Sequence, residues 1–242
     1  MPSRASCGAK EASAVECLVM TAGPPDTPQT TCPLCSSGEP GEYSRDNRRS
    51  YLHCTRCGLV FVPQGQFLSE KDEKKRYDLH RNDPNDAGYR GFLGRLLTAM
   101  QRHLAPGSSG LDFGSGPEPV LSRMFEEAGH RMALYDRYYA PDASAFERRY
   151  DFITTAEVAE HLRDPWPELD RLWSRLKPGG LLGIMTRSVV PREDFPRWHY
   201  KNDLTHIRFY SPETFRWLAA KWGADLQFPA EDVALFRRNE DQ

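Results

Sequence analysis

The chain has 242 residues, enough for one substantial domain and a small one, and 34 acidic against 32 basic side chains leave a formal net charge of −2. Near-neutrality removes any global electrostatic case for nucleic acid. No apolar run approaches the roughly 20 residues of a membrane span, so a cytoplasmic protein without a membrane partner is the expectation. Residues 1–30 are rich in Ala, Ser, Pro and Thr, lack the apolar core of a signal peptide, and read as a disordered N-terminal extension. Met20 is an alternative start within it, and Cys7 and Cys17 read as unpaired thiols.

Cys32-Pro-Leu-Cys35 and Cys54-Thr-Arg-Cys57-Gly58 form two C-x2-C pairs with 18 residues between them. Each pair can curl two thiolates toward one ion, and four complete a closed tetrahedral zinc shell. Two disulfides are the competing reading, but nothing in the sequence points to export. Gly58 permits a tight backbone after the second pair, and residues 59–62 read as a strand. Residues 31–65 resemble a zinc ribbon, which implies a structural Zn2+ that supplies much of the folding energy of so small a unit. Arg45, Arg48, Arg49 and Arg56 form either a patch for RNA or a solvated face, and the overall charge favours the solvated face.

Residues 66–106 read as a helical lid or linker. Ser69 is a cap followed by acids that suit a helix N-terminus, 82–88 is a loop by composition, and Phe92, Leu93, Leu96, Leu97 and Met100 give 89–104 an amphipathic helical period. Residues 107–242 form the larger domain. An apolar stub runs into Leu111-Asp112-Phe113-Gly114-Ser115-Gly116, a helix follows over 120–128, and a second apolar run ends at Asp136, 20 residues beyond Gly116. Nucleotide-binding folds place an acid there against a ribose. The glycines let the backbone approach a ligand, and the carboxylate can accept two bonds from vicinal hydroxyls. Glu118 would repel a pyrophosphate, which argues against a dinucleotide.

Residues 109–118 resemble motif I of the class I S-adenosylmethionine (SAM) methyltransferases. Tyr150-Asp-Phe-Ile-Thr-Thr-Ala-Glu-Val158 looks like that family's fourth strand and the loop after it, and 176–186 looks like the turn into the fifth. The resemblance covers roughly 77–225. It implies an α/β class with a Rossmann-like, mostly parallel sheet and helices on both faces, preceded by the small ribbon. It implies SAM as cofactor, with Asp112, Gly114, Ser115 and Gly116 around its methionine part, Asp136 on the ribose, Arg137 and Tyr138 flanking the adenine, and Ala156 and Glu157 beside it. In related methyltransferases a segment like 66–106 closes over SAM, and Tyr77, His80 and Tyr89 are its candidates here. One departure is plain: 14 residues separate Asp136 from Asp151, too few for a full strand–helix unit. A short or absent third strand and an open adenine pocket are expected.

Glu157, Glu160 and His161 would share one face if a helix began near Glu157. Farther on, 195–211 is dense in aromatic and hydrogen-bonding residues, with Trp198, Tyr200 and Asp203 as a substrate wall. Ser211-Pro212 opens a helix over 213–222, and 225–236 reads as a hairpin with Phe228-Pro229-Ala230 at its turn. The E-x-x-E-H pattern with a later His resembles the metal site of ubiquinone-pathway and small-RNA 3′-end methyltransferases. That implies a second divalent ion on Glu157, Glu160, His161 and His206. Alternatively, His161 is structural and His206 alone is the general base. The sequence around His206 matches the RNA enzymes poorly and looks more like a zinc-ribbon bacterial branch, which favours the base reading. His206, Asp203, His161 and Tyr200 are the catalytic candidates. The function that follows is SAM-dependent methyl transfer to an oxygen or nitrogen of a small molecule. An RNA methyltransferase that reads RNA with its ribbon, and a non-catalytic SAM-binding or zinc-ribbon interaction protein, are the alternatives.

Overall fold

The computed structural model describes residues 31–79 and 82–240. The readings of 1–30, Met20, Cys7, Cys17 and His80 lie outside those residues. In the ribbon, β1 (Gly41–Arg45) and β2 (Ser50–His53) pair antiparallel, and β3 (Val60–Phe61) adds to β2. Gly58 sits at φ 72, and a Cβ there would meet Ser211 Oγ at 2.8 Å, so only glycine fits the turn.

Ser69 caps α1 (Glu70–Tyr77) by accepting from Asp72 N at 3.2 Å, with acids in the first turn and bases in the last, as the helix dipole prefers. α2 (Ala87–Gln101) is capped by Asp86, which accepts from Tyr89 N, and therefore starts two residues ahead of the expected span. The larger sheet follows: β4 (Ser109–Phe113), α3 (Val120–Glu127), β5 (Arg131–Tyr135), β6 (Tyr150–Ala156), α4 (Pro165–Ser174) and β7 (Leu176–Met185). Then come β8 (Arg208–Phe209), α5 (Pro212–Trp222), β9 (Asp225–Ala230) and β10 (Val233–Arg237). The strand order is β5-β4-β6-β7-β10-β9, with the first four parallel and β10 antiparallel to both its neighbours.

Side chains alternate across this sheet, as the pleat demands. Phe152, Leu181, Val233 and Leu235 pack under α2 and α3 with Leu96, Met100 and Phe125. Ile153, Leu182, Ala234 and Phe236 pack under α4 and α5 with Leu172, Leu218 and Trp222. Helices thus cover both faces, and near-continuous apolar strands result. No strand lies outside β5 among the described residues; a 3-10 turn (Ala143–Glu147) fills that interval. No described helix is long and apolar enough to cross a membrane.

Two local expectations are corrected. No α-helix starts at Glu157: that residue takes φ 53, and a single 3-10 turn (Ala159–His161) follows. The Glu160 carbonyl, which a helix would use internally, instead accepts from Ile207 N at 2.9 Å. The β9–β10 turn falls at Glu231–Asp232, not at Phe228-Pro229-Ala230. Pro229 stays inside β9, an edge strand where a missing N–H is tolerated. A further feature had no sequence signal: β8 pairs antiparallel with β3 and completes a four-stranded sheet, β1-β2-β3-β8. The ribbon's sheet therefore borrows a strand from the larger domain.

Candidate active site

The ends of β4, β5 and β6 bring the sequence-selected residues to the carboxyl edge of the sheet, where open α/β folds bind ligands. Asp112 is buried, which pushes its carboxyl above the usual range, and it accepts from Ser122 Oγ and Thr154 Oγ1, both at 2.8 Å. Its oxygens are committed to α3 and β6, so it braces the glycine loop from beneath. Gly114 and Ser115 both donate to Tyr135 O. Gly116 holds φ 67, and a Cβ there would meet nothing within 4 Å, so the loop faces open space. Asp136 ties the loops together: Oδ2 accepts from Gly116 N at 3.0 Å, and Oδ1 from Tyr138 N at 2.8 Å and Tyr139 N at 3.1 Å. The hydroxyls of Ser115 and Tyr138 and Oε1 of Glu157 are buried with no hydrogen-bond partner. Orphaned polar atoms around an open glycine cradle fit a polar ligand such as SAM.

The helical segment closes on this edge. Arg137 turns to Glu70 at 3.0 Å, stacking over the Tyr138 ring on its way, and Tyr139 donates to Asp78 at 2.7 Å. Arg137 therefore ties the end of β5 to α1. Tyr139 carries the same function and escaped the sequence reading. The Tyr77 ring lies 5.8 Å from Tyr138 and 5.4 Å from His161. Tyr89 accepts from Asn82 at 3.0 Å, and burial, with the charges of Asp112 and Glu157 nearby, pushes its hydroxyl up to about 12. A cavity of about 500 Å³ opens between Asp78, Asn82 and Tyr139 on one side and Pro117 and Glu118 on the other.

Ala156 ends β6, and the acid–histidine group follows. Glu160, His161 and His206 each offer one ligand atom within 4.8 Å of the others. His161 Nδ1 lies 3.0 Å from Thr205 O, and His206 Nδ1 lies 2.8 Å from Tyr200 O. A carbonyl only accepts, so each Nδ1 carries its proton and each Nε2 keeps a lone pair, the arrangement found behind metal-bound histidines. Burial, and the neighbouring His161, push His206 down to about 3, and burial lowers His161 as well. Both rings are neutral. Glu157, at the left-handed turn that replaces the expected helix, stands outside the trio and meets the Tyr200 hydroxyl instead. That hydroxyl bonds to Glu160 and to Glu157, the latter at 3.3 Å. Burial raises both glutamates, Glu160 to about 7 and Glu157 to about 8, and the charge of Glu160 adds to the rise of Glu157.

Asp203 stands close enough to this group for its charge to act on Glu160, His161 and His206, while its Oδ1 is taken up by Thr205. Burial works against its charge, yet bonds from Thr205 N and Oγ1 hold it down at about 2. Trp198, half-buried, and Arg187 line a second cavity of about 580 Å³ with Val190, Ser188 and the β9–β10 turn.

In the ribbon, Cys32 and Cys57 sulfurs are 3.6 Å apart and those of Cys35 and Cys54 are 3.5 Å apart. Sulfurs at about 2.3 Å from a tetrahedral zinc stand roughly 3.8 Å apart, so the four fit the ion, and all four are free thiols rather than disulfides. Of the four ribbon arginines, Arg45, Arg48 and Arg56 are exposed and Arg49 is buried. Arg45 pairs with Glu42, Arg48 donates to Asn202, and Arg49 donates through Nε to the Tyr51 hydroxyl and through its terminal nitrogens to the main-chain carbonyls of Lys201, Asp203 and Leu204.

A family model described as Methyltransferase domain matches residues 85–227. Ubiquinone biosynthesis O-methyltransferases from two strains of Cereibacter sphaeroides are 29% identical to this chain over 144 and 145 residues, 56% of it and 58% of each relative. The chain thus spans a little over half the length of the curated relatives it matches. Among solved structures, magnesium protoporphyrin IX methyltransferase from Synechocystis, with bound S-adenosylhomocysteine, is similar at 12% identity and TM-score 0.48, over 70% of this chain and 94% of that one. A 1,6-didemethyltoxoflavin-N1-methyltransferase from Burkholderia thailandensis gives 15% identity and TM-score 0.44, over 82% and 99%.

Proposed function

The chain belongs to the methyltransferase-domain family, and from that premise we propose that it transfers a methyl group from SAM to a hydroxyl oxygen of a small molecule, with a divalent ion on Glu160, His161 and His206 and a structural Zn2+ on Cys32, Cys35, Cys54 and Cys57. The observation that carries this reading is the convergence of one carboxylate and two imidazoles, each with its Nδ1–H fixed by a carbonyl, beside the glycine cradle. When bound, the ion supplies polarisation of the acceptor hydroxyl, lowering its pKa. The sulfonium of SAM is already activated, so the chain's main contribution is proximity and alignment.

Each side chain has a definable part. Asp136 joins the glycine loop to the adenine side and keeps acceptor capacity for ribose hydroxyls. Tyr200, whose hydroxyl is pushed far above its usual range by burial and by Glu160 and Glu157, stays protonated and donates into the carboxylate pair. Glu160, raised to about 7 by burial, would hold the ion as a carboxylate, so ion affinity would rise with pH through that value. His206 at about 3 is too weak a base to act alone at neutral pH, which favours the ion over the lone-base reading. The ubiquinone-pathway relatives, named as O-methyltransferases, support oxygen over nitrogen. Burial of Arg49 weighs against an RNA-reading ribbon.

Calorimetric titration of SAM into zinc-loaded protein, with and without Mn2+, tests the proposal. Saturable SAM binding, with Mn2+ uptake that Glu160→Gln abolishes, is the expected result. Failure to bind SAM under either condition removes the methyltransferase activity, and SAM binding without ion uptake removes the ion alone.

A further inference from the structure

We propose that the zinc ribbon is the scaffold of the acceptor-side loop and that its Arg49 is the positioning residue for both histidines of the ion site, an inference that rests on the ion reading above. Residues 187–207 contain only two 3-10 turns, Phe195–Arg197 and His199–Asn202. Yet Tyr200, Lys201, Thr205 and His206 within them are buried. The ribbon supplies what regular structure does not. Arg49, 4% exposed, donates to Lys201 O, to Asp203 O at 2.9 Å and to Leu204 O at 3.1 Å. Asp46, in the β1–β2 turn, accepts from the buried Lys201 ammonium at 2.9 Å. Farther along, Tyr43 donates to Val190 O at 2.7 Å, and Phe195 packs against Tyr43 and Tyr51. Val62 N donates to Ile207 O at 3.0 Å, where β3 meets β8.

The placement of these bonds gives the argument its direction. The carbonyls that fix the histidine tautomers belong to Tyr200 and Thr205. The three carbonyls gripped by Arg49 belong to 201, 203 and 204, between them. One guanidinium therefore sets the path of the segment that orients both rings. A lysine presents a point charge instead of a planar fork and cannot reach three carbonyls in fixed directions. The glycine cradle is held differently, by Asp112, Asp136 and Tyr135, with no ribbon residue among those bonds. The ribbon thus governs the acceptor half of the site and leaves the SAM half alone.

The test compares the full zinc-loaded chain with Arg49→Ala and Arg49→Lys by amide hydrogen exchange, zinc content, SAM calorimetry and Mn2+ titration. Both variants are expected to keep one zinc and SAM affinity within about threefold. Peptides from 198–207 should exchange at least tenfold faster, while 109–117 and 131–138 stay protected. Mn2+ affinity should fall about 10–100-fold, as for loss of groups that orient metal ligands, with no rescue by lysine. Unchanged protection of 198–207, or faster exchange across all peptides alike, overturns the proposal. If the parent chain takes up no Mn2+, the ion reading falls, and the exchange pattern by itself decides whether Arg49 holds the loop. If Arg49→Ala does not fold, Asp46→Asn keeps the turn's acceptor oxygen, removes the ion pair with Lys201, and is judged by the same readouts.

Discussion

Replacing Asp136 by Asn separates loop-tying from ligand contact in a single side chain. The carboxylate accepts three backbone N–H bonds, two on Oδ1 and one on Oδ2. The amide oxygen of Asn keeps the pair from Tyr138 and Tyr139, and its NH2 then faces Gly116 N–H, donor against donor. A hydrogen bond to a charged group is worth about 1.5–3 kcal/mol. Gly116 is only half-buried, so water recovers part of the loss, and ribose hydroxyls lose an anionic acceptor. A net cost of about 2 kcal/mol in SAM binding corresponds to a Kd roughly 30-fold weaker. Calorimetry against SAM, with a thermal melt of the free protein, reads both effects. A lower Tm with unchanged Kd would confine Asp136 to joining the loops and refute its contact with the ribose. A Kd within threefold and an unchanged Tm would refute the whole account.

Glu160→Gln should reduce Mn2+ affinity more than tenfold and leave SAM affinity intact, which competition by electron paramagnetic resonance and calorimetry would show. The raised Glu157–Glu160 pair also sets a pH dependence. In the ion-free folded state the pair binds more protons than it does in the unfolded chain, whereas His161 and His206, held neutral, bind fewer below the ordinary histidine value of 6.5; the two effects oppose one another up to there, and between 6.5 and the pair's raised values of about 7 and 8 stability falls as pH rises. Bound Mn2+ should remove that fall, and denaturant midpoints measured across the range with and without the ion check it. Trp222 stacks on Trp173 at 4.9 Å and donates to Asp170. Trp222→Ala should cost about 3–5 kcal/mol by chemical denaturation, a loss that an equal midpoint in the variant would contradict.

What could be read from the sequence was short-range. Ser69 and Ser211 signal helix starts within four residues of themselves, and both caps form, the second as a reciprocal box with Thr214. The glycine loop, Asp136 and the truncated interval after it are likewise local patterns, as are the paired cysteines. The misread features depend on distant partners. Glu157–His161 has helical spacing, but the carbonyl of Glu160 is claimed by Ile207, and the strand β6 continues into a left-handed turn. Arg49 looked like a surface charge because nothing near it in the chain announces the carbonyls of 201–204.

The pairing of β3 with β8 also bears on how the chain is made. Synthesis runs from the N-terminus, and Cys57 precedes Arg208 by about 150 residues. At about 5–20 residues per second, that interval lasts on the order of ten seconds. Throughout it the four cysteines are available for metal, while the β3 backbone has no neighbour on its far side. An open strand edge is a template for pairing with another chain. Nascent copies on one messenger are therefore exposed to one another at this edge until Arg208 and Phe209, close to the last seventh of the sequence, emerge.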